Sequence, residues 1–496
     1  MPSENVHTNL PSDTPIDTDL DKNLQNIKLM TGNSSDVVIK PALVCGNRIA
    51  VVTTEGMTGV STLAALVYEK LNDLDGRGSL PPSELVENFF DSYLIAAQQL
   101  DVKDLGDLCW KLESGFAILL TDGSSRAIAI GVQGFQFRSV GEPSTENDVR
   151  GSREGFVEVI RFNMGLVRRR IKSPTLVFEM SQIGERSKTD VCLCYLSDKV
   201  SPKLLNNIKK RLQSVKLNTV LEGGYIQPYL EGKGGWFFSE CGTCERPDSF
   251  AAKLYEGRVG ILVDGTPFAL VVPYLFIESF QTMDDYTQKP YYATFIRFVR
   301  LAAYLITVFL PGAYVAIASF SPEMLPSALI LNLAAAEQTA PFSLMVECLL
   351  IHFMYEILRE AGLRLPRPIG HAIGVVGGLV IGDITVNAGL VGAPMVLVVA
   401  LSGLCSFVVP AMYEKTVVLR FLYIIAGGIF GLFGLFLAAA AVIVKMCSLN
   451  TYGVPYMSPL SPFTPRASRD MLIRTGWKQL AKGDVSLESL NGSEEV

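Results

Sequence analysis

Short apolar runs separated by polar turns alternate along the first half of the chain. In the segment 115–132, two such runs flank an Asp-Gly turn, a combination that is typical of a β-hairpin. The segment 259–272 repeats the same pattern. This weak internal similarity predicts two related α/β subdomains, at 31–182 and 183–288; the alternative is that Asp-Gly hairpins are common in unrelated sheets.

Other patterns place helices and a buried strand around the hairpins. Apolar residues recur at helical spacing in 154–170, which ends in basic residues and is followed by a helix-stopping Pro174. Residues 191–196 are almost wholly apolar and predict a buried strand, and 202–217 predicts a further helix. Residues 1–30 are polar and acidic and lack the basic and apolar regions of a signal peptide, so we predict a disordered tail there.

The pattern changes after residue 289, where long apolar stretches replace the alternation. Four of them are long enough to be predicted as transmembrane helices. They lie at about 298–320, 341–358, 384–411 and 420–445. A fifth stretch, 368–382, is uncharged, glycine-rich and short for an ordinary span, so it either re-enters the membrane, lines a pore or only packs.

Basic residues determine the expected orientation. Lysine and arginine collect before the first apolar stretch, around 359–367 and after 445, whereas 321–340 contains neither. The positive-inside rule then places the α/β half and a C-terminal tail, 451–496, in the cytosol, with the membrane domain at 289–450. The predicted fold class is therefore α/β plus α-helical membrane protein, with two N-terminal cytosolic α/β subdomains followed by a polytopic helical membrane domain.

Composition and motifs limit the kinds of activity that the sequence predicts. The 496 residues are 49% hydrophobic, with a mean hydropathy of +0.31 and a net charge of −6, and no basic patch indicates a nucleic-acid partner. The odd number of cysteines, nine, predicts reduced thiols. Cys241 and Cys244 form a C-x2-C pair without the second pair or nearby histidine of a zinc site, so neither a metal nor a cofactor is predicted. Catalytic motifs of hydrolases, P-loop proteins and zinc proteases are absent from the sequence, so we predict no enzyme and no catalytic residues.

Charged groups within the apolar half are candidates for function. Glu347 lies in a predicted span, where an unpaired carboxylate is costly, so it either lines a cation path or has a structural partner. Glu356 either joins that path or lies at the headgroup level, paired with Arg359 or Arg364. His371 either titrates near neutral pH or is structural.

Small residues recur at three- to four-residue spacing in the glycine-rich stretch and allow either close helix packing or an open pore wall. Just beyond it, Asp383 and Asn387 share one helical face at i, i+4, and copies of them in an oligomer would form a cation-selective ring. The predicted pore or ion path is made by Gly374, Gly377, Gly378, Gly382, Asp383, Asn387 and Glu347.

Eleven short motifs, in this order along about 31–463, resemble the A subunit of bacterial spore germinant receptors, the GerA family. Each motif alone is modest, but their order is specific. They lie at 31–36, 122–125, 142–147, 150–155, 168–172, 245–248, 256–258, 263–268, 310–316, 356–362 and 453–459. Two positions depart from the family pattern: Cys244 stands where a Thr is usual, and Asp383 stands where an uncharged polar residue such as Gln is expected, which leaves the ion selectivity open.

The resemblance implies a multi-pass protein of the spore inner membrane whose N-terminal half faces the cytosol, or core. It implies a transporter-like B subunit that binds the nutrient and a C lipoprotein as partners, besides membrane lipid. It further implies self-association into a ring that encloses a germinant-gated ion channel. Two alternatives stay open: an accessory channel paralogue of the stage V sporulation AF type that amplifies germination, and a secondary transporter, which would need paired broken helices in inverted repeats.

Overall fold

The structure, a computed structural model, separates into two compact units. It describes residues 11, 13–76, 78–92, 98–134, 151–232, 237–337, 341–365, 382, 384–450, 452–463 and 470–480. The α/β unit comprises the described residues up to Tyr274 together with 452–454. The helical unit comprises 275–450 and the described residues between 455 and 480.

The α/β unit contains two subdomains, each built on a five-stranded sheet. The first has, in chain order, α1 (Leu20–Met30), β1 (Val37–Val44), β2 (Asn47–Thr54), α2 (Val60–Leu63), a π-helical turn (Ala64–Tyr68), α3 (Glu69–Asp75), α4 (Pro82–Ser92), β3 (Gln99–Val102), α5 (Leu105–Glu113), β4 (Phe116–Thr121) and β5 (Ala127–Gly131). The strands pair antiparallel in the order β1-β2-β4-β5-β3. The hairpin predicted at 115–132 is the pair β4–β5, which is confirmed.

The second subdomain repeats this plan. Its elements are α6 (Ile160–Arg170), β6 (Leu176–Ile183), β7 (Thr189–Leu196), α7 (Pro202–Gln213), a 3-10 turn (Gly223–Tyr225), α8 (Gln227–Leu230), β8 (Gly242–Cys244), α9 (Pro247–Tyr255), β9 (Val259–Val263) and β10 (Ala269–Val272). The strand order β6-β7-β9-β10-β8 is that of the first sheet, strand for strand. The predicted hairpin at 259–272 and the predicted strand at 191–196 are both confirmed.

The similarity of the subdomains extends to individual hydrogen bonds. In the first, the Asp122 carboxylate of the hairpin turn accepts from the backbone N–H of Leu20 at 3.2 Å, at the start of α1. In the second, Asp264 accepts from the N–H of Ile160 at 3.0 Å, at the start of α6. Each carboxylate thus satisfies one of the donors that a helix N-terminus leaves without an intrahelical partner. Two sheets with one topology and one capping bond support the interpretation of two related subdomains.

Two expectations about this region need correction. Residues 20–30 form α1 instead of belonging to a disordered tail, because Leu20, Leu24 and Ile27 recur at helical spacing and pack into the core of the first sheet. The boundary predicted at 182/183 is wrong, because β6 pairs with β7 along its whole length and α6 packs with them in the same core. The helix predicted at 154–170 begins only at Ile160.

The helical unit contains three 3-10 turns and eight α-helices within the described residues. The turns are Phe276–Phe280, Pro322–Met324 and Pro410–Met412. The helices are α10 (Asp284–Thr287), α11 (Pro290–Phe320), α12 (Ser327–Glu337), α13 (Leu344–Arg364), α14 (Thr385–Asn387), α15 (Ala393–Ser406), α16 (Tyr413–Cys447) and α17 (Trp477–Leu480). By length and composition, two stretches of the described chain qualify as membrane-spanning helices, Pro290–Phe320 and Pro410–Cys447. These coincide with the first and last of the four predicted spans.

The predicted span 384–411 is not one helix. It is interrupted after Asn387, where Gly389 adopts φ 68°, and α15 then runs for 14 residues. At 1.5 Å per residue α15 is about 21 Å long, short of the roughly 30 Å hydrocarbon core of a bilayer. The stretch is uncharged throughout, so its hydropathy hid the glycine-induced break. The tail predicted at 451–496 is likewise not wholly free, because Arg474 is 2% exposed within the helical unit.

Glycines bring the backbones of α11 and α16 into contact. A Cβ atom on Gly427 would lie 2.5 Å from the carbonyl oxygen of Gly312, and a Cβ on Gly312 would lie 2.5 Å from that of Tyr423. Small residues therefore allow these helices to approach closely. Farther along α16, Gly431 leaves the helical conformation at φ 63° and ψ −152°, a backbone geometry that glycine adopts with little strain.

Candidate functional site

Most residues of the predicted pore lie outside the described part of the chain. This applies to Gly374, Gly377, Gly378 and Asp383, as it does to His371 and nearly all of the predicted re-entrant stretch 368–382. Gly382 is described, and a Cβ there would meet no atom within 4 Å. Asn387 is the last residue of α14. Their assignment to an ion path stays a prediction.

Glu347 contacts the start of a helix. Its side chain is buried, and its Oε1 accepts a hydrogen bond from the backbone N–H of Gly392 at 2.6 Å. Gly392 is the N-cap of α15, so the carboxylate lies beside the positive end of that helix dipole. This contact connects α13 to α15. It gives Glu347 a structural partner, which was one of the two interpretations of this residue from the sequence. A role of Glu347 in a cation path stays a prediction.

Glu356 joins α13 to α16. Its Oε2 accepts from the Tyr413 hydroxyl at 2.6 Å and lies 3.3 Å from Nε of Arg359. Its Oε1 is paired with Nη2 of Arg420, a side chain with no exposed area. The predicted pairing with Arg359 is confirmed, whereas Arg364 instead contacts Glu360. Arg420 was missed because it lies 64 residues away and only the fold brings it to Glu356.

His352 links α13 to α15 one turn before Glu356. Its Nδ1 lies 2.9 Å from the carbonyl oxygen of Cys348, and its Nε2 lies 3.3 Å from the Ser402 hydroxyl. All three side chains are buried. Both ring nitrogens of the histidine therefore have hydrogen-bond partners, and the side chain connects two helices. No sequence motif indicated this structural arrangement.

A second charged cluster surrounds the beginning of α11. Arg297 has no exposed side-chain area, and its Nε contacts Asp285 at 2.9 Å while Nη1 contacts Asp470 at 2.9 Å. Arg300 also pairs with Asp285, at 2.8 Å. In the sequence analysis these basic residues served only to predict the orientation in the membrane, and Asp470 fell in the predicted C-terminal tail. The ion pairs instead hold the C-terminal segment against the first long apolar helix.

A third buried ion pair joins the two subdomains of the α/β unit. Nε of Arg168 on α6 contacts Oδ2 of Asp36 at 2.9 Å, and Nη2 contacts Oδ1 at 3.0 Å. The two side chains are 2% and 1% exposed. Arg168 also donates to the carbonyl oxygens of Ser173 and Leu176, so its charge is well satisfied.

Backbone bonds continue this contact. The N–H of Ser35 donates to the carbonyl oxygen of Phe178 at 2.8 Å, and the N–H of Phe178 donates to the Ser34 hydroxyl at 2.9 Å. Gly56 and Gly165 meet backbone to backbone, since a Cβ on Gly165 would lie 2.7 Å from the Gly56 oxygen. We call residues 34–36, 56, 165–168 and 176–178 the subdomain junction. The sequence had singled out 31–36 and 168–172 only as family motifs.

The cysteines and acidic side chains that the structure describes form no metal centre. No disulfide joins any of the nine cysteines. Within the part of the chain that the structure describes, no three His, Cys, Asp or Glu side chains are grouped to hold a metal ion. Cys241 and Cys244 are both buried, and the Cys244 thiol lies 3.2 Å from the carbonyl oxygen of Arg246.

Comparison with known proteins gives one consistent result. Residues 25–484 match the model of a family described as Bacillus/Clostridium GerA spore germination protein. Spore germination protein KA of Bacillus subtilis (strain 168) is 37% identical over 468 residues, which are 93% of this chain and 85% of that protein. The membrane protein YfkQ of the same strain is 33% identical over 97% of this chain and 94% of its own. The crystal structure of the N-terminal domain of the A subunit of the Bacillus megaterium spore germinant receptor GerK3 is similar at 31% identity and a TM-score of 0.43, covering 53% of this chain and 98% of that one.

Proposed function

Since the chain belongs to the GerA family of spore germination proteins, we propose that it is the A subunit of a nutrient germinant receptor in the spore inner membrane. The observation that carries this is the 37% identity to a spore germination protein along 93% of the chain, both units included. The α/β unit would lie on the cytosolic side, and α11 and α16 would cross the membrane. A transporter-like B subunit and a C lipoprotein would be its partners.

Receptor function requires that nutrient binding on a partner change the state of this chain. We propose that several copies form a ring whose membrane helices enclose an ion channel, closed at rest. Nutrient binding would favour the open ring through contacts that differ between the two states. The conduit would be formed by 369–390, which includes Asp383 and Asn387, together with Glu347.

The charges of the helical unit are compatible with such a channel. Glu347, Glu356 and Arg420 each have a partner on another helix, so their buried charges are compensated. Asp383 carries the one charge of the stretch 368–390. It is therefore the residue whose substitution tests the conduit most directly, and Asn387, four residues later, is its uncharged neighbour.

Conductance measurements on the purified oligomer in liposomes test the channel. We expect a cation conductance in the wild type and a changed conductance or selectivity in Asp383→Asn. The exposed Glu323→Gln serves as the matched control, because it removes one carboxylate before α12 and should leave the conductance unchanged. An unaltered conductance in Asp383→Asn would exclude Asp383 from the conduit. A cysteine scan across 373–390 that finds every position inaccessible to thiol reagents during germination would refute the pore assignment as a whole.

Deletion of the gene in its own host separates a receptor from an accessory channel. A receptor subunit predicts loss of the response to one nutrient, with the response to other nutrients preserved. A stage V sporulation AF-type paralogue predicts slower germination with every nutrient. Germination that is normal with every nutrient tested would contradict both proposals.

A further inference from the structure

A carboxylic acid is buried at the edge of the subdomain junction without a hydrogen-bond partner. Glu113 is the last residue of α5, and its side chain is 2% exposed. Among the described residues, neither of its carboxyl oxygens has a hydrogen-bond partner. An ionised carboxylate is strongly disfavoured in such a place, whereas the protonated acid is tolerated. Unsatisfied buried groups of this kind require an explanation, and a functional one is common.

The ionisable groups that act on Glu113 come from three segments of the chain. Arg168 approaches from α6, Asp36 from the chain before β1, and Cys109 from the preceding turn of α5. Burial raises the pKa of Glu113 to about 8, with Arg168 opposing this and Asp36 adding to it. Burial also raises the pKa of Cys109 to about 12, and it raises that of Cys194, which lies on β7 near Asp36 and Arg168, well above its usual value. The two thiols therefore stay neutral over the range in which Glu113 titrates.

Contacts of neighbouring residues place Glu113 close to the subdomain junction. The carbonyl oxygen of its neighbour Leu112 accepts a hydrogen bond from the Thr54 hydroxyl at 2.9 Å, at the end of β2. Two residues later, Gly56 meets Gly165 of α6 backbone to backbone. A charge on Glu113 would also place a second carboxylate beside Arg168, which Asp36 already neutralises.

We propose that Glu113 is a proton switch for the subdomain junction. With the proton bound, the two subdomains close around the Arg168–Asp36 pair; when the proton is lost to solvent, separation of the subdomains is favoured. Opening exposes the carboxyl to water, where it ionises freely. This proposal concerns the α/β unit alone and does not depend on the proposed channel.

Proton linkage determines the direction and the pH range. Glu113 has its ordinary value of 4.5 when exposed and about 8 in the closed junction, so the closed form binds the extra proton between these values. Below about pH 4.5 the ratio of closed to open junction does not depend on pH through this group. The ratio then falls about tenfold per pH unit up to about pH 8, and above that value it is constant again. Between pH 6 and pH 8 the ratio of closed to open junction should therefore fall about 50-fold, because Glu113 in the closed junction is still half protonated at pH 8.

Hydrogen exchange of the full chain in lipid nanodiscs tests the switch. The reporters are the amides of Ser35 and Phe178, which bond across the junction. After correction for the intrinsic pH dependence of exchange, we expect their protection to fall about 50-fold from pH 6 to pH 8 in the wild type. Glu113→Gln and Glu113→Leu should remove this dependence, because neither side chain can ionise. The exposed Glu84→Gln, the matched control, should retain it.

Two variants are used because a buried amide adds unsatisfied donors, whereas leucine adds none. If only one of them folds, it suffices for the comparison. A wild-type protection that changes less than threefold between pH 6 and pH 8 overturns the proposal, whatever the variants do. Equal pH dependence in the wild type and in a folded Glu113 variant overturns it as well.

Discussion

Removal of the Arg168 guanidinium from the subdomain junction should destabilise the protein far more than removal of a guanidinium from the surface. Arg168→Met retains most of the side-chain volume and leaves the Asp36 carboxylate buried, with the Ser34 hydroxyl as its nearest remaining bond. Loss of one partner from a buried ion pair costs about 3–5 kcal/mol, because the remaining charge is uncompensated. At 1.4 kcal/mol per decade this corresponds to a fall of roughly two to four decades in the closure constant.

The chain offers a matched control with the same chemistry. Arg48 contacts Asp21 through both Nη atoms, at 3.1 and 2.8 Å, but these side chains are 56% and 66% exposed. Solvent screens an exposed pair, so Arg48→Met should hardly change stability.

Hydrogen exchange at Ser35 and Phe178 in the full chain measures the difference at a pH near 6, where Glu113 is protonated in the closed junction. We expect these two amides to lose protection from exchange in Arg168→Met and to keep it in Arg48→Met. Equal protection in the two variants would refute the reasoning that burial, and not bidentate geometry, determines the worth of the pair. The double variant Asp36→Leu with Arg168→Met should recover part of the loss, since it removes both charges.

Two further predictions concern the helical unit. Gly427→Ala should lower the midpoint of thermal unfolding in detergent, because its Cβ would lie 2.5 Å from a carbonyl oxygen of α11; overpacking of this kind typically costs about 1–3 kcal/mol. Gly362→Ala, where a Cβ meets nothing within 4 Å, should instead stabilise α13 by up to about 1 kcal/mol, and equal effects of the two alanines would contradict the packing argument. Glu356→Gln should destabilise by about 3–5 kcal/mol because it leaves a fully buried arginine without its carboxylate, whereas Glu360→Gln removes an exposed pair worth at most about 1 kcal/mol. A Glu356→Gln protein as stable as Glu360→Gln would show that the buried arginine finds another partner.

Because the two subdomains of the α/β unit share one plan, positions at which they differ can be compared directly. Both subdomains use an aspartate of the Asp-Gly hairpin to cap the first helix, through Asp122 and Asp264. The residue of α1 that corresponds to Arg168 of α6 is Lys28, since both lie eight residues after the first residue of their helices. A lysine lacks the planar bidentate fork of an arginine. The buried pair with Asp36 therefore belongs to α6 alone, and the junction is not a repeated feature.

Local patterns in the sequence were sufficient for the hairpins, the buried strand β7 and the two long apolar helices. Each depends on neighbouring residues: alternation around a glycine turn, a continuous apolar run, or a span without charge. The same patterns failed at α1, where a polar composition masked the spacing of Leu20, Leu24 and Ile27. They also failed in 384–411, where uniform hydropathy masked the break at Gly389.

By itself, the sequence determined the α/β class of the N-terminal half, the internal repeat and, through the order of its motifs, the GerA family. Tertiary structure alone decided which charges meet. Arg168 and Asp36 are 132 residues apart, and Arg420 and Glu356 are 64 residues apart, so no local spacing relates them. Whether a charge is compensated depends on burial and on partners brought in by chain folding, and both are properties of the packed molecule. For the same reason the raised pKa of Glu113, an ordinary glutamate in the sequence, arises only in the packed molecule, where the carboxyl is buried and feels Arg168 and Asp36.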